Sequence, residues 1–183
     1  WSSDVCSSDL KRAHDEMSYR AYHDALTGLP NRAMFMDSLK RSLHRMERSG
    51  GSGSLLFIDL DHFKAINDNL GHDMGDLLLQ QVSQRIQGCV REGDLVARLG
   101  GDEFVVLVEG HSDVRRMAEK VLEVLRPAYQ LGDNVAQVTA SIGVSTFPRD
   151  GVAFDELLNA ADEAMYRAKA SGRDGVQLFE REP

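Results

Sequence analysis

Residues 94–108 read DLVARLGGDEFVVLV. Two apolar runs, residues 94–99 and 104–108, flank Gly100-Gly101-Asp102-Glu103. The flanks are built from residues that suit a pleated surface, and the paired glycines permit positive φ, so the stretch predicts a β-hairpin. Upstream, residues 54–61 (SLLFIDLD) form a short apolar run ending in carboxylates, predicted as a buried strand. Asp59 and Asp61 thus stand at a strand end, and Asp102 and Glu103 at a turn.

The rest of the chain supplies helices to cover these strands. Residues 63–70 (FKAINDNL) read as one or two helical turns and residues 71–76 (GHDMGD) as a glycine-bearing loop. Leu78, Val82, Ile86 and Val90 recur every fourth position, the buried stripe of a helix. Val114, Met117, Ala118, Val121, Leu122 and Leu125 mark another, which ends before Pro127. Val138, Ala140, Ile142 and Val144 alternate with Gln137, Thr139, Ser141 and Gly143, predicting a half-buried strand. Residues 154–170 are predicted helical, with Leu157, Leu158, Ala161, Met165 and Ala168 inward and Gly172 as the stop. Residues 175–179 (GVQLF) predict a last strand.

Before the first strand, residues 24–32 (DALTGLPNR) read as a loop. Asn31 is placed to cap a helix carrying Phe35, Leu39, Leu43 and Met46, and residues 49–54 (SGGSGS) read as a flexible break. Residues 11–23 predict a connector helix with a narrow stripe of Ala13, Met17 and Ala21. Residues 1–10 (WSSDVCSSDL) are expected to be a non-native leader, a cloning scar or translated sequencing adapter, and to stand outside the domain of residues 24–183. The element order predicts an α+β fold with a central, mainly antiparallel sheet flanked by helices.

Composition narrows the classes of function. With 42% hydrophobic residues the chain can build a core. A net charge of −8 argues against binding nucleic acid or an acidic membrane surface, yet leaves a nucleotide held by local cations and a metal open. Cys6 and Cys89 form no C-x-x-C pair, so neither a disulfide framework nor a zinc site is expected. No stretch approaches the roughly 18–20 apolar residues of a membrane helix. A cytoplasmic location is expected; attachment of a longer parent protein through a preceding segment is compatible with it.

Taken singly, D-x-D or a GGDE turn is ordinary turn chemistry. Together the motifs are more specific. Gly100-Gly101-Asp102-Glu103-Phe104, preceded by Arg98-Leu99, matches the signature that names the GGDEF family of diguanylate cyclases. Residues 24–32 resemble the family's D-x-L-T-G-L-x-N-R block, and Ile58-Asp59-Leu60-Asp61-His62-Phe63-Lys64 with Asn67-Asp68 its first-strand block. Residues 71–76 resemble G-H-x-x-G-D, and Tyr166 to Arg173 resembles Y-x-A-K-x-x-G-R. The blocks occur in family order from Asp24 to about Phe179.

The resemblance implies a ferredoxin-like, nucleotidyl-cyclase-like βαββαβ core with extra elements. It also implies an enzyme that condenses two GTP into cyclic di-GMP and two pyrophosphates, with Mg²⁺ (or Mn²⁺) as cofactor and a homodimer as the catalytic unit. Metal ligands would be Asp59, the Leu60 carbonyl, Asp102 and Glu103; Asp102, Glu103 and Asp59 would be catalytic. Phosphates would meet the backbone N–H groups of Phe63 and Lys64, the Lys64 side chain, Lys169 and Arg173, with Gly100 and Gly101 leaving room for the nucleotide. Asn67 and Asp76 would select guanine, because a buried carboxylate at Asp76 would go unpaired against adenine. Asp61 is read as either site residue or helix cap, and His72 as structural. Arg91 and Asp94 match an R-x-x-D site that binds the product as inhibitor, with Arg115 or Arg116 as a secondary contact.

Overall fold

The computed structural model describes residues 17, 19–110 and 113–180. The expected leader, with Cys6, lies outside them, as does much of the expected connector helix; of the latter, residues 17 and 19–22 are helical. The elements then follow as α1 (Arg32–Ser49), β1 (Gly53–Leu60), α2 (Phe63–Leu70), α3 (His72–Cys89), β2 (Leu95–Gly100), β3 (Glu103–Glu109) and α4 (Val114–Leu125). A small hairpin, β4 (Tyr129–Leu131) with β5 (Asn134–Ala136), precedes β6 (Ala140–Phe147), α5 (Phe154–Ala170) and β7 (Gly175–Leu178).

The main sheet has the order β2-β3-β1-β6-β7. Its first four strands are antiparallel to their neighbours, and β7 adds parallel to β6. This is the α+β, ferredoxin-like arrangement expected, with β1 at the centre. Helices cover both faces. Leu56, Ile58 and Leu60 of β1 join Leu78, Val82 and Ile86 of α3 and Val121 and Leu125 of α4 in one core. Leu55 and Phe57 join Phe35 and Leu39 of α1 and Leu157, Ala161 and Met165 of α5 in the other.

Three expectations are corrected by this packing, and one element was missed. Residues 72–76 are not a loop but the first turn of α3, with only Gly71 as the break. Gly75 makes that possible: a Cβ there would lie 1.9 Å from Asn67 Oδ1, so α2 and α3 close tightly around it. The flexible break over 49–54 is shorter than expected, because Gly53 and Ser54 already belong to β1 and are buried. β6 is buried almost throughout rather than half-buried. Its alternation is real, but Ser141, Gly143 and Ser145 face α5 instead of water. At Gly143 a Cβ would meet Ala161 O at 1.9 Å and Met165 N at 2.2 Å, so the bare backbone is what lets α5 lie on the strand. The β4–β5 hairpin was not foreseen; Gly132-Asp133 between short runs was its signal.

Candidate functional site

The C-terminal end of β1 and the β2–β3 turn meet at one edge of the sheet. The register sets Asp59 opposite Glu103 on one side and opposite Ser141 on the other. Directly opposed residues in antiparallel strands share a face, so Asp59, Glu103 and Ser141 point to the face that carries α5. Leu60 N donates to Asp102 O at 3.4 Å, which brings the turn beside the strand end. Gly100 and Gly101 take φ of 150° and 50° and have open space where a side chain would stand, as the turn was expected to require.

Electrostatics at this edge are uneven. Burial pushes the Asp59 carboxyl above the usual carboxylate range; the Lys169 ammonium works against that, and the charges of Asp102 and Asp61 reinforce it. Glu103 is raised in the same way, by burial and then by Asp59, Asp102 and Asp162. Lys169 Nζ lies 2.7 Å from Asp59 Oδ1, so this lysine of α5 sits on the acidic cluster and not simply out in solvent. The oxygen donors of Asp59, Asp102, Glu103 and the Leu60 carbonyl are the hard ligand type that Mg²⁺ takes. Mutual repulsion of the carboxylates is what a divalent ion would relieve, so the donor set fits the metal. Among the described residues no three His, Cys, Asp or Glu are grouped as a cage.

A second cluster adjoins it across α2 and α3. The cap position of α2 is His62, at φ 61°, and it makes no side-chain cap bond. The N–H groups of Phe63 and Lys64 therefore open the helix without one, and the Lys64 side chain is exposed. Asn67 Oδ1 is buried with no hydrogen-bond partner, which is uncommon. Asp76 stands exposed in the first turns of α3, not buried as the guanine argument supposed. His72 is exposed at the start of α3. Arg173 follows α5 in the left-handed region at φ 62°.

Asp61 is not a helix cap. It is 3% exposed and accepts hydrogen bonds from Thr139 Oγ1 and Ser141 Oγ, each at 2.7 Å, and from Asp174 N at 3.1 Å. Arg98 is a residue that the motif reading passed over. It donates to Gly101 O from Nε at 3.0 Å and Nη2 at 2.8 Å, and to Asp24 Oδ1 from Nη1 at 2.9 Å. The entry loop at Asp24 is thereby tied to the acidic turn. Burial works against the Asp24 charge, but bonds from Thr27 and Arg98 outweigh it and hold its carboxyl below the usual range. The presence of Asp24 and Arg98 in two separate motif blocks was the available signal.

Arg91 and Asp94 lie away from the acidic edge, at the opposite end of β2. Arg91 Nε contacts Asp94 Oδ1 at 3.1 Å, and its Nη2 donates to Glu109 O. Both line a groove of about 800 Å³ with Arg116 and Lys120; Arg115 does not line it.

Comparison with known proteins agrees with this fold. The family model described as diguanylate cyclase, GGDEF domain, matches residues 21–175. The chain is 44% identical over 178 residues to the bifunctional diguanylate cyclase/cyclic di-GMP phosphodiesterase MucR of Pseudomonas aeruginosa, covering 96% of this chain and 26% of that protein. It is 40% identical to diguanylate cyclase TpbB of the same species, covering 97% of this chain and 42% of the relative. The chain thus spans about a quarter to two fifths of the length of these curated relatives. Among solved structures, the GGDEF domain of TpbB superimposes with a TM-score of 0.84 at 41% identity, covering 86% of this chain and 94% of that one. The coiled coil and GGDEF domain of DgcB from Caulobacter crescentus, in complex with c-di-GMP, gives 0.86 at 28% identity, covering 96% and 95%. The order of the motifs, the sheet that brings them to one edge and these matches together place the chain in the GGDEF domain family of diguanylate cyclases.

Proposed function

We propose that this chain condenses two GTP molecules into cyclic di-GMP and two pyrophosphates, with Mg²⁺ as cofactor and a homodimer as the catalytic unit. The observation that carries the reading is the β1–β3 register, which sets Asp59 opposite Glu103 with Asp102 at the adjoining turn. Asp59, Asp102, Glu103 and the Leu60 carbonyl would hold the metal. Bound there, Mg²⁺ polarises phosphoryl oxygens and lowers the pKa of a coordinated hydroxyl. Asp102 would take the proton of the 3′-hydroxyl. Lys64, the N–H groups of Phe63 and Lys64, Lys169 and Arg173 neutralise the triphosphate and the departing pyrophosphate. Gly100 and Gly101 leave space for the nucleotide backbone. Asp76 accepts from guanine N1–H and N2–H, and Asn67 Oδ1, orphaned in the chain alone, gains a donor from the same base edge.

The site holds one triphosphate. Two copies must face each other, so that the 3′-oxygen of each nucleotide forms a bond to the α-phosphorus of the other while the bond to each pyrophosphate breaks. Catalysis then rests on positioning and charge neutralisation. Arg91 and Asp94 would bind product as an inhibitor, with Arg116 as the secondary contact.

A second reading has its own support. The chain is 40% identical to cyclic di-GMP phosphodiesterase NbdA of Pseudomonas aeruginosa, covering 23% of it. In such a setting the domain would bind GTP as a regulator without consuming it. Incubation with GTP and Mg²⁺, followed by product analysis, separates the two. Cyclic di-GMP is expected from the unaltered chain, and Asp102→Ala is expected to lower turnover by about a hundredfold or more. Binding of GTP with no consumption would instead establish the regulatory reading.

A further inference from the structure

The turn between α5 and β7 is strained and held from three sides. Gly172, Arg173 and Asp174 take φ of 112°, 62° and 45° in succession. Glycine tolerates this region; arginine and aspartate occupy it at a cost, and such strain persists only where the surroundings impose it. Here they do. Arg173 N donates to Ala168 O at 3.0 Å. Asp174 N donates to the buried carboxylate of Asp61 at 3.1 Å. The Asp174 carboxylate accepts from Arg126 Nε at 3.0 and 3.2 Å. Asp61 is itself fixed by the hydroxyls of Thr139 and Ser141 and stands two residues beyond Asp59. Within this clamp, the Arg173 guanidinium makes no ion pair or hydrogen bond among the described residues, although Lys169 of the same segment is bound to Asp59.

We propose that Asp61, Asp174 and Arg126 are positioning residues that hold the strained turn so that Arg173 presents its guanidinium to the triphosphate. The proposal rests on the cyclase reading of the site and adds how one of its phosphate-binding cations is aimed. Asp61→Asn keeps the shape but leaves one oxygen for three donors: its amide nitrogen must face either the Ser141 hydroxyl or the Asp174 N–H and the Thr139 hydroxyl. Asp174→Gly relaxes the strain and keeps the bond to Asp61, but removes the anchor to Arg126.

The test is a double-mutant cycle read by calorimetric binding of a non-hydrolysable GTP analogue with Mg²⁺. Asp61→Asn, Asp174→Gly and Arg173→Ala are each expected to weaken binding roughly three- to tenfold, the scale of one charge-assisted phosphate contact. Combining Arg173→Ala with either of the other two is expected to weaken it no further than Arg173→Ala alone. Asp174→Gly is expected to melt no lower than the unaltered chain while still binding worse, a split that a purely structural role would not produce. If Asp61→Asn fails to fold, the Asp174→Gly cycle carries the test. Full additivity, or unaltered binding by Asp174→Gly, overturns the clamp and leaves the cyclase reading standing. Failure of the unaltered chain to bind the analogue overturns both.

Discussion

Asp59 shows how a single residue carries both function and its cost. Its carboxyl is raised by burial, against the Lys169 ammonium and with the charges of Asp102 and Asp61, so folding disfavours the charged form relative to the unfolded chain. A group raised on folding gives its full stabilising contribution below the ordinary carboxylate value and loses it as pH rises through the raised one. In metal-free buffer, Asp59→Asn is therefore expected to melt higher than the unaltered chain at neutral pH. The gap should close as pH falls toward the ordinary carboxylate range. Mg²⁺ should raise the melting temperature of the unaltered chain and leave the variant nearly unmoved. Thermal scans across pH, with and without Mg²⁺, check both; equal melting of the two proteins at neutral pH would refute the charge-strain account. Asp59 and Asp102 stood out in the sequence through the order of the motif blocks, since a D-x-D or a GGDE turn alone is ordinary turn chemistry. The Lys169 partner was not, since it reaches Asp59 only once α5 lies across β1 and β6.

At the scale of elements, β6 and α5 depend on a missing side chain. Gly143→Ala would drive a methyl into the α5 backbone at Ala161 and Met165. Overpacking against main chain is expected to cost about 1–3 kcal/mol or more in denaturant unfolding. Lost stability should be accompanied by lost turnover, because α5 carries Lys169. A variant as stable as the unaltered chain would show that α5 can lift off the strand. The segment joining α3 to β2 makes a different prediction. Arg91 grips Asp94 and Glu109 O there and lines the groove with Arg116. Arg91→Ala is expected to leave initial turnover intact and to raise the steady-state product level. Equal sensitivity of both proteins to added cyclic di-GMP would rule the inhibitory role out.

For the whole molecule, the proposed reaction joins two nucleotides while each chain would hold one, so it would need two copies. Turnover per mole of chain is expected to fall on dilution and to recover when the chain is fused to a dimeric coiled coil. Constant specific activity at concentrations where sedimentation finds monomers would exclude the facing-pair arrangement. No helix of the described residues is long and apolar enough to cross a membrane. The sheet order β2-β3-β1-β6-β7 places β1 at the centre, and this long-range pairing is what gathers β1, the β2–β3 turn and α5 at one edge.

From the sequence alone, the acids of the proposed site came through the resemblance of the motif blocks. Most element types and many of their ends came from it too, because apolar period, capping residues and paired glycines act locally. Asn31 illustrates it: its side chain accepts from Met34 N at 3.1 Å, as a cap was expected to. What covers each face was decided only by tertiary structure. The serines and glycine of β6 look like a solvent face until α5 packs on them, and Asp61 looks like a cap until β6 and the Arg173–Asp174 turn close on it. Periodicity reports which side of a strand a residue occupies; it holds no information about the distant segment that arrives there.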